Sequence, residues 1–325
     1  MKAVLCKSFS SIAELTVEQV PSLKPAGDEV IINVKACGLN FPDTLIIQGK
    51  YQFKPELPFS PGGEIAGVIK EVGSKITHLK VGDRVMYGGV FGGFAEEVKA
   101  KAISVFKMPS TLDFVTGASS MLTYGTSYHA LVNRAHIQKG ETLLVLGAAG
   151  GVGTAAIQIA KALGVTIIAA ASTTEKLAFC EENGADHLIN YNEEDLKNRV
   201  KEITNGNGVD VIYDPVGDAY TEPALRAIAW KGRYLVVGFA AGEIPKIPLN
   251  LALLKGCQIV GVFWGAFVQR EPKQNQQNLQ TILQWFAQGK LISQIHGKYP
   301  LENVKEAMYA MVNKEVKGKI VLIPS

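Results

Sequence analysis

The residues best suited to chemistry lie in and after one run, LLVLGAAGGVGTAAIQIA, from Leu143 to Ala160. A strand-like apolar stretch leads into glycines, and a helix-like apolar stretch leads out. Within it, Ala148-x-Gly150-x-x-Gly153 is the dinucleotide fingerprint with alanine in its first glycine position. Gly150 lets the backbone come close to a pyrophosphate, and Gly153 lets the helix pack tightly on the strand. The helix start then offers unpaired N–H groups and a positive dipole end to an anion. A tight turn with no ligand is the alternative reading of the same run.

Dinucleotide sites that take NAD usually carry an acid about 20 residues further on, to hold the ribose 2′-hydroxyl. Here that place reads Ala171-Ser172-Thr173-Thr174-Glu175-Lys176. A carboxylate would repel a 2′-phosphate, whereas a serine with a nearby lysine accepts one. Glu175 opens the following helix and is expected to point elsewhere. The pattern points to NADPH, with an ordinary surface role as the alternative for Lys176.

Around these residues the chain divides into two styles. The first 120 residues read as short strands broken by Gly, Asp and Pro, with Val30–Cys37, Ile65–Val72 and Arg84–Tyr87 the clearest. From about residue 125 strands alternate with helices: Thr142–Leu146, Thr154–Leu163, Val165–Ala171, Glu175–Asn183, Val209–Tyr213, Tyr220–Ala229 and Tyr234–Val237. That alternation predicts an α/β parallel sheet covered on both faces. The polar run Gln269–Asn278 reads as a solvated loop, Leu279–Gly289 and Val304–Asn313 as helices, and Lys319–Ile323 as a closing strand.

Composition narrows the partners. The 325 residues carry 33 basic and 30 acidic side chains, a net charge of +3, which gives no argument for nucleic acid or a polybasic membrane surface. Cys6, Cys37, Cys180 and Cys257 are scattered and suit a reducing compartment. The chain opens with no signal-like apolar stretch. A soluble, cytoplasmic protein without a membrane span is expected.

With these residues placed, the chain resembles the medium-chain dehydrogenase/reductase superfamily, and within it the zinc-independent, zeta-crystallin-like NADPH:quinone oxidoreductases. The resemblance spans nearly the whole length. Its motifs are Ala36-Cys37-Gly38-Leu39-Asn40-Phe41-Pro42-Asp43, Gly62-Gly63-Glu64-Ile65-Ala66-Gly67, Lys80-Val81-Gly82-Asp83-Arg84-Val85 and the Ala148–Gly153 turn. It implies a GroES-like β-barrel catalytic domain plus a Rossmann, doubly wound parallel sheet, with the active site in the cleft. The implied parts are residues 1–122 for the first part of the catalytic domain, 123–264 for the NADPH-binding domain and 265–325 for the return. It also implies a homodimer through Gln258–Phe263.

The resemblance assigns residues as well. The backbone from Ala149 through Gly150, Gly151, Val152 and Gly153 corresponds to the pyrophosphate site. Ser172, Lys176 and Tyr191 correspond to the 2′-phosphate side. Thr123, Phe239 and Phe263 correspond to the nicotinamide and its ribose. Asn40, Asp43 and Tyr51 are the implied catalytic residues: Asn40 and Asp43 flank the acceptor, Asn40 donates to its oxygen, and Tyr51 orients or protonates the product.

Zinc dehydrogenases of this superfamily carry Cys where this chain has Asn40, and His-Glu where it has Gly63-Glu64. A catalytic zinc needs about three protein ligands and an open position. No metal is expected, and Glu64 is read as structural. Without a Lewis acid, the acceptor must take hydride unaided, which suits quinones and conjugated carbonyls. Leu45, where some quinone reductases have tyrosine, leaves room for a 2-enoyl thioester or alkenal reductase. An NADPH-stabilised binding or structural protein is the reading from another class.

Overall fold

A computed structural model describes residues 1–324, in two compact units: Met1–Leu122 with the segment from Ile295 onward, and Thr123–Gln294.

The first unit is built on the 11-residue strand Glu29–Leu39, whose β-branched residues suit burial on both faces. Its seven-stranded sheet runs in the order Ile295–Pro300, Lys319–Ile323, Glu29–Leu39, Glu64–Val72, Arg84–Gly88, Val105–Lys107, and Glu97–Lys101 also pairs with Glu29–Leu39. A separate two-stranded sheet joins Lys2–Leu5 to Thr16–Gln19. The GroES-like character lies in this mainly antiparallel arrangement, in which, among the described residues, only Ile295–Pro300 and Lys319–Ile323 pair in parallel.

Register matters more here than strand count. Ile320 pairs with Leu39, which sets Lys319 opposite Asn40. On the other side Gly38 pairs with Glu64. Three residues distant in sequence are thereby brought to one end of the long strand.

The second unit is the doubly wound α/β sheet. Its six parallel strands lie in the order His187–Asn190, Thr166–Ala171, Thr142–Leu146, Val209–Asp214, Ile228–Val236, Gln258–Gly261. The order reverses between Thr142–Leu146 and Val209–Asp214, and ligands of such sheets bind beyond the carboxyl ends at that reversal.

Three expectations need correction. The return to the first unit comes at Ile295, not residue 265. The run Gln269–Asn278 is not a loop, because a helix already starts at Pro272 and extends to Ala287. Its Asn275 and Asn278 are buried, Asn278 donates to Asn133 Oδ1 at 2.6 Å, and Phe286 packs edge-on to Tyr124. These contacts tie the helix to the second unit. Finally, the helix expected over Tyr220–Ala229 ends at Arg226, and a strand opens at Ile228. No helix among the described residues is long and apolar enough to cross a membrane.

Candidate active site

In the second unit the glycine run folds as its spacing requires. Strand Thr142–Leu146 ends at Gly147, whose φ of +56° lies in the left-handed region. Gly150 then stands at the N-cap of the helix Gly151–Leu163, and no side chain caps that end. The first N–H groups of a helix have no partner within it. They are the natural donors for an anion here.

The two fingerprint glycines differ. A Cβ on Gly153 would lie 2.6 Å from Gly147 O and 2.7 Å from Ala148 O, so the helix start needs glycine to pack. A Cβ on Gly150 would meet only Gly147 O, at 3.4 Å, and otherwise open space. Gly153→Ala is expected to cost about 1–3 kcal/mol in stability. Gly150→Ala is expected to fold with a melting temperature within about 2 °C of the parent yet bind a nicotinamide coenzyme about tenfold more weakly. Thermal melts and coenzyme titration of both variants check this contrast.

The next two strand ends bring Ser172, Lys176 and Tyr191 together. Lys176 Nζ donates to Ser172 Oγ at 3.3 Å. Tyr191 hydrogen-bonds to Ser172, although burial still pushes its phenol up to about 12. Two residues not foreseen from sequence join them. Asn192 Nδ2 donates to Ser172 O at 2.9 Å, and the Tyr220 ring packs 4.3 Å from Tyr191. Phe239 and Phe263 follow the strands Ile228–Val236 and Gln258–Gly261, the latter side chain exposed. Thr123 lies buried on the helix Met121–Tyr128.

In the first unit Asn40, Asp43 and Glu64 meet Lys319, a residue the sequence did not single out. All four are nearly fully buried. Lys319 Nζ donates to Asn40 Oδ1 at 2.6 Å, Glu64 Oε2 at 2.9 Å and Leu39 O at 3.2 Å. Asn40 Nδ2 points to Glu64 Oε2 at 3.0 Å and Gly38 O at 3.3 Å. Glu64 Oε1 accepts from Leu122 N at 2.8 Å. Both amide hydrogens of Asn40 are thus directed inward, against the expected donation to an acceptor oxygen.

Asp43 Oδ2 accepts from Asn40 N at 2.8 Å, at the start of the helix Phe41–Ile46. Burial, opposed by that N–H and by the Lys319 charge, pushes the Asp43 carboxyl up to about 7. Tyr51 is close enough for burial, then the Asp43 charge, to push its phenol up. The Asp43 shift has a consequence for stability. From about pH 4, where an unfolded Asp ionises, up to 7, the folded chain keeps a proton the unfolded chain has lost. Stability therefore falls as pH rises through this window and levels off above it. Between pH 5 and 8 the parent is expected to lose about 2–3 kcal/mol relative to Asp43→Asn, measured by denaturant unfolding.

At Gly63, a Cβ would lie 2.6 Å from Gly89 O, so this backbone has no room for a side chain there. Among the described residues no three His, Cys, Asp or Glu gather as a group able to hold a metal ion. His129 stacks on Phe267 at 3.9 Å, in the π-helical segment His129–Arg134.

The chain as a whole is similar to known proteins. Residues 26–110 match the alcohol dehydrogenase GroES-like domain, and residues 151–288 match the zinc-binding dehydrogenase family. The chain is 40% identical over 324 residues to a quinone oxidoreductase-like protein 2 homolog of Nematostella vectensis, covering 99% of this chain and 88% of the relative. It is 36% identical over 301 residues to the quinone oxidoreductase of Homo sapiens, covering 92% and 90%. The crystal structure of Escherichia coli quinone oxidoreductase complexed with NADPH superposes with a TM-score of 0.94 at 30% identity, over 100% of both chains. The chain is therefore an oxidoreductase, and it belongs to the quinone oxidoreductase family of the medium-chain dehydrogenase/reductase superfamily.

Proposed function

We propose that the protein is an NADPH-dependent, zinc-free reductase of a small quinone or similarly conjugated carbonyl compound. The observation that carries this reading is the internal ammonium of Lys319, bonded to Asn40 and Glu64 beside a Gly63 with no room for a ligand side chain. Of the two positions where the superfamily's zinc dehydrogenases carry Cys and His, Asn40 is bonded to Lys319 and Gly63 has no room for a side chain. An acceptor must then be electrophilic on its own.

The residues of the second unit fit the coenzyme. The uncapped helix start at Gly151 suits a pyrophosphate, and Ser172 with Lys176 suits a 2′-phosphate with no carboxylate at the strand end. NADPH, when bound, supplies a hydride. In the first unit Asp43 and Tyr51 are the groups proposed to face the acceptor, with Tyr51 orienting its oxygen. Asn40 holds Asp43 through its backbone N–H.

The test is NADPH oxidation with 1,4-benzoquinone, 9,10-phenanthrenequinone, a 2-alkenal and crotonyl-CoA. Quinone turnover well above the rate without enzyme is expected. A saturated thioester as the sole product would instead assign a double-bond reductase, and no acceleration with any acceptor would remove the reading.

The same proposal includes a homodimer. Gln258–Gly261 is an edge strand, and Ile259, Phe263, Leu253 and Leu254 leave large apolar groups exposed on and beside it. Such an edge is normally covered. Sedimentation is expected to give twice the 35.0 kDa chain mass. A monomer at all concentrations would contradict it.

A further inference from the structure

We propose that Lys319 is a positioning residue: its ammonium fixes the orientation of the Asn40 carboxamide and, through Asn40, the carboxyl group of Asp43. This rests on the reading of Asp43 and Tyr51 as the acceptor-facing pair.

The ammonium has only donors, so the Asn40 atom 2.6 Å from it must be the oxygen. That forces the amide nitrogen toward Glu64 Oε2 and Gly38 O, both acceptors. Every polar atom of the carboxamide is thereby assigned a partner, and no flipped state keeps all of them. The cage is tight as well. A Cβ at Gly38 would lie 2.1 Å from Ala118 O, 2.9 Å from Glu64 Oε2 and 3.2 Å from Lys319 Nζ. The next link is backbone: Asn40 N donates to Asp43 Oδ2 at 2.8 Å. The Asn40 side chain also faces the Asp43 backbone N–H in a capping box, so a rotated carboxamide would lose its hold on the first turn of Phe41–Ile46, where Asp43 sits.

Stability alone does not account for this arrangement. Burying two charges is costly, and well-packed apolar residues often serve equally well or better. What an apolar pair cannot do is orient a carboxamide. The strand register also aims the lysine: Lys319 opens the strand Lys319–Ile323 directly opposite Asn40.

The experiment compares the parent with Lys319→Met and with the double variant E64Q/K319M. The single variant strands a buried carboxylate and is used only if it folds. The double variant carries no unpaired charge. It is expected to melt within about 5 °C of the parent. Two readouts separate positioning from charge balance. The first is hydrogen exchange of the Asn40 side-chain amide by NMR, which needs no acceptor and is expected to quicken about tenfold or more in the double variant. The second is kcat with 9,10-phenanthrenequinone, expected to fall about 10- to 100-fold with the KM for NADPH unchanged.

Parent-like exchange with parent-like kcat in the double variant would overturn the proposal, because the ammonium would then only neutralise Glu64. Failure of the double variant to fold would overturn it too, by making the lysine a requirement of the fold. If the parent reduces no acceptor, the functional reading fails, while amide exchange still decides whether Lys319 orients Asn40.

Discussion

Replacing Lys176 with alanine is expected to weaken NADPH binding about ten- to a hundredfold and to leave NADH binding within about twofold. Lys176 Nζ lies 3.3 Å from Ser172 Oγ, which also bonds Tyr191, in the 2′-phosphate site proposed above. A charge-assisted hydrogen bond contributes about 1.5–3 kcal/mol, and NADH has no 2′-phosphate to receive it. Fluorescence titration with both coenzymes reads the ratio directly. Equal weakening of both would mean a structural role for Lys176. An unchanged NADPH affinity would remove it from the phosphate site.

Glu64→Ala is expected to be the most damaging single change to stability, about 3–5 kcal/mol, lowering the melting temperature on the order of 10 °C. It would strand the Lys319 ammonium, 4% exposed, with only Asn40 Oδ1 and Leu39 O as acceptors. It would also leave Leu122 N without its carboxylate partner. Glu64→Gln keeps an oxygen at the site and is expected to cost clearly less. By contrast, breaking the surface pair Lys2–Glu302 is expected to leave the melting temperature almost unchanged, since solvent screens it. Calorimetry on the three variants checks the order. Equal losses for Glu64→Ala and Glu64→Gln would mean that the unpaired ammonium is not the cause.

The legible parts of this protein were local. The glycine turn occupies a few consecutive residues, and its strand and helix declare themselves by period. Ser172 and Lys176 are four apart, so their pairing needed only the start of one helix. Lys319 was not legible in this way. Its partners Asn40 and Glu64 lie 279 and 255 residues away, and only sheet register joins them. The one signal was a lysine at the head of the apolar run Lys319–Ile323, an odd place for a charge unless it is paired. The helix from Pro272 was hidden because its buried Asn275 and Asn278 look like solvent-facing residues, which also moved the expected return point thirty residues too early. Asn40 stands out in the sequence by its motif, but the inward direction of its amide depends on that same distant lysine.

The zinc-free chemistry is tested most directly by one paired measurement on a single preparation: metal content by mass spectrometry, and single-turnover NADPH oxidation with 9,10-phenanthrenequinone. Full turnover with zinc far below one ion per chain, unchanged by a chelator, is the expected result. Turnover that rises in proportion to bound zinc, and stops when the zinc is removed, would contradict it.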